Sequence, residues 1–266
     1  MNIHNALFVL VNMEDIRTHV VRIGTSGFSY KDWLGNFYPQ FCPAKDFLRF
    51  YACVFATVEI DSTFYRIPTE KTVAGWYKTT PEHFVFTAKF PRTVTHEGTT
   101  AMRLANAEQF VNAMKPLEEK LGPLLLQFPY SFKPSEHGTL LRDLVADLPG
   151  DVRIALEVRN RKWLTDEFYG LLKSRNIALC LVDHPWMPRE SALTADFLYI
   201  RLLGDRKKID NDFSYIRNDR IGDLQWWTKL VEEFSRERGE VYAYINNHYS
   251  GHSPTTARHL IDMLQS

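Results

Sequence analysis

The chain has 266 residues, 32 basic and 32 acidic side chains, 45% hydrophobic and 14% aromatic content, which excludes the disordered, fibrous and collagen-like classes. That length suits one large α/β barrel or two ordinary domains. A formal net charge of zero excludes wholesale coating of nucleic acid or anionic membrane, so any anion site has to be local.

Residues 1–20 are expected to be an N-terminal extension without fixed structure, ahead of a single barrel domain over 21–266. The apolar stretch Ala6 to Val11 has no basic residue before it and Glu14 and Asp15 after it. It is too short for a signal peptide or a membrane span, and no later stretch is long enough, so a cytoplasmic protein with no membrane partner is expected. Met13 offers an alternative start. Cys42, Cys53 and Cys180 show no C-x-x-C spacing and read as buried small hydrophobes in a reducing compartment.

Eight short β-branched or aromatic runs are predicted as strands: Val20 to Thr25, Thr57 to Asp61, Phe84 to Lys89, Pro123 to Phe128, Arg153 to Val158, Ile177 to Val182, Phe197 to Leu202 and Val241 to Ile245. Most are continuously apolar, as strands buried on both faces of a parallel sheet are. Helical periodicity predicts helices over Ala44 to Phe55, Thr69 to Thr79, Ala105 to Leu121, Glu136 to Leu148, Thr165 to Ser174 and Asp219 to Arg238, with a last one opening at Ser253-Pro254. Between strands six and seven only His184 to Ala195 is available, with two prolines, so that connection is expected to be irregular. Eight such units predict an α/β fold, a (β/α)8 TIM-type barrel.

In such barrels, sites form where the strands end at their C-terminal edge. Those positions carry Ser26, Glu59, Asp61, Lys89, Gln127, Glu157, Arg159, Asp183, Arg201, Asn246 and Asn247, with His96 a little further on. Period two puts Glu59 with Asp61, Thr87 with Lys89, Glu157 with Arg159, and Tyr199 with Arg201 on shared faces. Glu59, Glu157, Lys89 and Arg201 are therefore expected to meet at one mouth, where burial and pairing shift pKa values. The purely structural alternative is an ion-pair layer closing the barrel top. Aromatic side chains crowd the following loops: Phe28, Tyr30, Trp33, Phe37 and Tyr38 after strand one, Phe64 and Tyr65 after strand two, Trp163 after strand five, and Trp186 after strand six. They suit stacking on a sugar ring or nucleobase, or packing on one another to hold the loops down. His252 would open the last helix, as a ligand or as a hydrogen bonder at the helix start.

With these segments in view, the chain resembles the YecE-like family, the domain of unknown function numbered 72. The matching stretches include IGTSGFSYKDWLGNFYP (Ile23 to Pro39), FLRFYACVFATVEIDSTFYRIP (Phe47 to Pro68), FTAKFPRTVTH (Phe86 to His96), LGPLLLQFP (Leu121 to Pro129), LEVRNRKW (Leu156 to Trp163), LCLVDHP (Leu179 to Pro185), TADFLYIRLLG (Thr194 to Gly204) and YAYINNHYSGHSP (Tyr242 to Pro254). The resemblance implies a TIM barrel and leaves the chemistry to the residues. Three positions depart from the family's usual pattern: Phe28 stands where tryptophan is common, Asp61 where asparagine is common, and His248 where an acidic residue is common.

Two functions are weighed. The first is an enzyme, of hydrolase or lyase/isomerase type, acting on a phosphorylated or sugar-containing small ligand. Its anion would be bound by Lys89, Arg159 and Arg201, with Glu59 or Glu157 as general acid or base, Asp183 also catalytic, and Asn246 as donor. Ser26, Tyr30, Asp61, Tyr65, His96, Gln127, Trp163, Asn247 and His252 would complete the ligand site. A metal-dependent variant would use Glu59, Asp61, Glu157, Asp183 and His252, an oxygen-rich set suited to magnesium or manganese, although three nearby cations would repel the metal unless a substrate phosphate intervened. The second is a binder of nucleic acid or nucleotide, using the same cations, the loop aromatics and Arg206-Lys207-Lys208. No G-x-S-x-G, P-loop or dinucleotide fingerprint is present. A Schiff base on Lys89 requires neighbouring cations to depress its pKa, against which Glu59 would act. The oligomeric state is left open.

Overall fold

The structure, a computed structural model, describes residues 21–237 and 239–266. The expected N-terminal extension, with Met13, Val20 of the expected first strand and Arg238 of the helix expected over Asp219 to Arg238, lies outside the described residues. Eight strands follow one another as β1 (Val21–Thr25), β2 (Thr57–Ile60), β3 (Val85–Lys89), β4 (Leu121–Gln127), β5 (Ile154–Glu157), β6 (Ala178–Asp183), β7 (Leu198–Leu202) and β8 (Val241–Ile245). All neighbouring strands pair in parallel in the order β1-β8-β7-β6-β5-β4-β3-β2. The expected barrel is the observed one.

Its last seam, between β1 and β2, is closed by a single bridge, Ser26 to Glu59, with the Gly27 N–H donating to the Glu59 carbonyl at 2.8 Å. Just before the bridge a side chain takes the place of the ladder. The Thr25 N–H donates to the Tyr51 hydroxyl at 2.9 Å, and that hydroxyl donates to the Thr57 carbonyl at 3.1 Å. Gly24 makes room for this arrangement, since a Cβ there would lie 2.2 Å from the Thr57 carbonyl oxygen.

The helices are α1 (Phe47–Tyr51), α2 (Glu70–Thr79), α3 (Arg92–Thr95), α4 (Thr100–Met114), α5 (Pro134–Asp147), α6 (Asp166–Ser174), α7 (Ile221–Glu237), α8 (Asn247–Ser250) and α9 (Ser253–Gln265). Thr69, Thr99 and Thr165 cap α2, α4 and α6, each accepting a backbone N–H from three residues on. The Thr99 cap starts α4 five residues before the periodicity does. After Met114 the chain tightens into a 3₁₀ stretch, Lys115–Lys120, so the expected helix to Leu121 stops short. The helix expected over Ala44 to Phe55 is likewise a 3₁₀ turn, Ala44–Asp46, followed by the short α1. The β6 to β7 connection forms no helix among the described residues, as its two prolines imply. Two short helices, α3 and α8, have no sequence periodicity to announce them.

The barrel interior is more polar than a usual barrel core. Thr57 Oγ1 shares a hydrogen bond of 2.7 Å with the Tyr244 hydroxyl, and Thr87 Oγ1 one of 3.1 Å with the Tyr199 hydroxyl. Val85, Leu125, Ala155, Cys180, Val182 and Tyr242 fill the rest. The large apolar cluster lies between sheet and helices, so the strands are buried on both faces.

Candidate functional site

The polar interior rises to a charged layer at the C-terminal ends of the strands. Arg201, inward on β7, spans the barrel: its Nε and one terminal nitrogen donate to Glu59 Oε1 at 3.1 and 2.7 Å, and the other terminal nitrogen donates to Glu157 Oε2 at 2.6 Å. Glu59 also accepts from Ser26 Oγ at 2.8 Å and from the Tyr199 hydroxyl at 2.7 Å. Glu157 Oε1 takes Arg159 Nε at 2.8 Å. Both glutamates and Arg201 are fully buried, so charge-assisted bonds from several sides are what keep these groups in the interior. Burial would raise the Glu157 carboxyl, but Arg201 and Arg159 outweigh it and hold it at about 2. For Glu59 burial prevails: its carboxyl is raised, with Arg201 and Tyr199 opposing.

Lys89 ends β3 at the same layer and is treated differently. Among the described residues its Nζ makes no ion pair or hydrogen bond; it sits 3.9 Å from the centre of the Phe64 ring. Arg201 has already taken Glu59 and Glu157, and it touches Asp61 at 3.4 Å. Burial and the Arg201 charge together push the Lys89 amine down to about 8, with Asp61 and Glu157 opposing. His96 meets the same Phe64 ring edge-on at a separation of 5.1 Å. Burial and the Lys89 charge lower it to about 4, so it is neutral. Tyr30 donates to the Ser26 carbonyl at 3.1 Å. Burial raises its phenol, and Asp61 and Glu59 add to that. Tyr65 stands on the rim, 79% exposed, and Gln127 donates to the Phe128 carbonyl at 2.7 Å.

Other expected site residues are placed elsewhere. Asp183 lies on the outer face of β6, where Trp227 Nε1 and the Tyr249 hydroxyl donate to its Oδ2 at 3.0 and 3.2 Å and Arg189 pairs with it at 2.9 Å. The alternation that aims Val182 inward aims its neighbour at α7. Trp163 is buried against Phe132 and donates to the Phe132 carbonyl at 2.8 Å. Asn246 caps α8, accepting from the His248 N–H at 3.0 Å. Asn247 Oδ1 ties the loop after β1 to α9, accepting from Trp33 Nε1 at 3.2 Å and from the Ser253 N–H and Oγ at 3.0 and 2.7 Å. His252 caps α9 through its Nδ1. The oxygen-rich set read as magnesium or manganese ligands is thus split, with Glu59, Asp61 and Glu157 on Arg201 at the mouth. Asp183 and His252 hold structural partners, and among the described residues no three His, Cys, Asp or Glu side chains group to hold a metal ion.

The loop aromatics divide in the same way. Trp33, Phe37 and Tyr38 are buried, and Tyr38 stacks on Phe47 at 4.2 Å, so they pin the loop after β1 to α1. Among the described residues the exposed ones are Phe41, Tyr65, Tyr130, Trp186 and Tyr215, each in a loop that follows a strand. Tyr130 was not singled out from the sequence; its signal is its place three residues after Gln127. It meets Trp186 edge-on at 5.6 Å, and Trp186 meets His184 at 4.9 Å. His184, the polar residue that follows Asp183 at the end of β6, accepts the Trp186 N–H on Nδ1 at 3.2 Å, which leaves Nε2 to carry the proton of the neutral ring. Burial and the Arg159 charge lower its pKa.

Comparison with known proteins agrees with the architecture. The chain is 30% identical to a DUF72 family protein from Thermotoga maritima, with a TM-score of 0.81 over 93% of this chain and 100% of that one. A DUF72 family protein from Enterococcus faecalis gives 25% and 0.75 over 93% and 96%. D-psicose 3-epimerase, solved in the presence of D-fructose, shares the fold alone, with 13% identity and a TM-score of 0.51 over 84% of each chain. Among curated proteins, UPF0759 protein YunF of Bacillus subtilis is 24% identical over 92% of this chain and 95% of its own. UPF0759 protein YecE of Escherichia coli is 35% identical over 42% of this chain and 41% of its own. No described helix is long and apolar enough to cross a membrane. The family model described as "Protein of unknown function DUF72" matches residues 22–266, and the chain belongs to that family.

Proposed function

We propose that the barrel mouth is the active site of an enzyme acting on a small phosphorylated or sugar-containing ligand. One observation carries the reading: among the described residues Glu59, Glu157 and Arg201 are paired with one another, while two cationic groups of the same layer keep free donors. Lys89 Nζ has no polar partner among the described residues, and Arg159 spends only Nε, on Glu157, leaving its planar terminal nitrogens for an anion. Glu59, Glu157 and Arg201 are then the frame that holds these donors in place. The rim aromatics Tyr65, Tyr130 and Trp186 would cover the apolar face of a sugar. No step in this reading passes through a metal.

The exposed aromatics and the exposed run Arg206-Lys207-Lys208 also favour a second reading, stacking on bases with phosphates held by the run. A thermal-shift panel of sugar phosphates, nucleotides, short single strands and divalent metals separates the two. A sugar phosphate at a hundredfold excess over its Kd should stabilise the wild type by about 2.7 kcal/mol, and Arg159→Ala should lose most of that gain. Stabilisation by oligonucleotide alone, fading with salt, would transfer the function to the binding module. Silence across the panel would leave the ion-pair layer as structure only.

A further inference from the structure

We propose that Lys89 is a covalent nucleophile whose Nζ forms a Schiff base with the carbonyl carbon of an aldehyde or ketone substrate of the sugar type; this rests on the mouth being a ligand site.

The geometry is that of an amine kept free in a place full of carboxylates. Three acids surround the mouth, yet Glu59 and Glu157 are bound by Arg201, Glu157 is bound again by Arg159, and Asp61 leans toward Arg201. The lysine is left with the face of Phe64 at 3.9 Å, a weaker partner for an ammonium than a carboxylate is. Its strand fixes it: Lys89 follows the fully buried Thr87 and Ala88, and the Lys89 carbonyl accepts from Thr63 Oγ1 at 2.7 Å. The charged groups that act on the amine are Arg201 and Arg159, which favour its neutral form, and Asp61 and Glu157, which oppose it; burial adds to the former. His96, neutral beside Phe64, adds no charge. An amine at the C-terminal end of a barrel strand that sheds its proton at about 8 rather than 10.5 presents, near neutral pH, a far larger share of the lone pair that addition requires than an ordinary lysine does.

In the reaction the Nζ lone pair forms a C–N bond to the carbonyl carbon, and the C=O π electrons move to oxygen, which gains the proton that nitrogen gives up. The carbinolamine then loses water: its hydroxyl takes a second proton, the one Asp61 removed from the Lys89 ammonium, as the nitrogen lone pair closes the protonated C=N bond. One water leaves per imine and nothing is oxidised or reduced. Asp61, with its side chain 34% exposed and only a 3.4 Å contact to Arg201, is the mouth carboxylate left to carry the protons. A protonated imine withdraws electrons from the adjacent carbon, so the substrate class is a carbonyl compound that undergoes proton loss or C–C cleavage there.

The test is reductive trapping of the full-length chain with sodium cyanoborohydride and either dihydroxyacetone phosphate or dihydroxyacetone, read by peptide mass spectrometry. The Lys89 peptide should be labelled about tenfold or more faster than any other lysine, because fewer of the other amines are neutral at pH 7. Lys89→Arg should abolish the adduct while keeping the wild-type circular dichroism. Phosphate should speed the trapping, and Arg159→Ala should remove that advantage. Equal trapping of both probes, indifferent to Arg159→Ala, would keep the nucleophile and sink the anion site. A sugar phosphate that stabilises the protein in the thermal panel while Lys89 stays unlabelled, or labels no faster than surface lysines, would overturn the Schiff base and keep the ligand site.

Discussion

Arg201→Met is expected to cost about 3–5 kcal/mol of folding stability, because one substitution strands buried carboxylates. Glu59 loses two charge-assisted bonds and Glu157 loses one, and methionine fills the space without replacing a donor. A domain of this size has about 5–15 kcal/mol in total, so the urea midpoint should fall sharply. The pH dependence identifies the cause. In the wild type Glu157 sits at about 2 against an ordinary 4.5. Its contribution is complete above 4.5 and is lost as the pH falls toward 2. In the variant Glu59 keeps its burial and loses the opposing Arg201 charge, so its folded pKa rises further above 4.5. The folded state then takes up a proton before the unfolded one does. Stability of the variant should therefore recover as the pH falls from neutral toward 4.5, more steeply than wild type. A midpoint within experimental error of wild type would mean that the bridge across the barrel does not hold the top together.

Lys89→Met should do the opposite and stabilise the protein at pH 7. Burial and Arg201 lower the amine from 10.5 to about 8. Holding it protonated at neutral pH thus costs the folded state up to about 3 kcal/mol, which an apolar side chain of similar length avoids. The sign follows from the linkage. Below 8 both states carry the proton and the penalty is complete; between 8 and 10.5 only the unfolded state keeps it, so wild-type stability climbs. The advantage of the variant should be largest below 8 and shrink to nothing by about 10.5. Denaturant midpoints of both proteins across that range provide the check, and a variant less stable at pH 7 would show that Lys89 is a structural partner.

The same contrast separates what was legible in the sequence from what was not. Strand identity was legible, because runs such as Leu124-Leu125-Leu126 can only lie between two layers. So was the meeting of Glu59, Lys89, Glu157 and Arg201, because each sits at a strand end with a same-face neighbour two residues away. Asp183 was misplaced for the reason that made β6 easy to find: both faces of Ala178 to Val182 are apolar, so no alternation shows which side the next residue joins. Trp163 and Asn247 form pairs 31 and 214 residues apart and His252 one only three residues on, and only the folded chain brings the first two partners together. The Tyr51 hydroxyl in the β1–β2 seam left no trace in any local pattern. Nor could spacing tell that Arg201 would claim the glutamates and leave the lysine alone; that depends on which donor reaches them first in three dimensions.

The most direct test of the account is the titration of that lysine. Protein labelled with ¹³C at lysine Cε, with the Lys89 resonance assigned by its absence in Lys89→Met, can be followed by NMR as the pH is raised. An amine without a carboxylate partner, half-buried beside Arg201, should titrate at about 8, well below the ordinary lysine value of 10.5. A Lys89 resonance that moves with the surface lysines, or later, would mean that a carboxylate has claimed the amine, and the mouth would then be an ion-pair layer throughout.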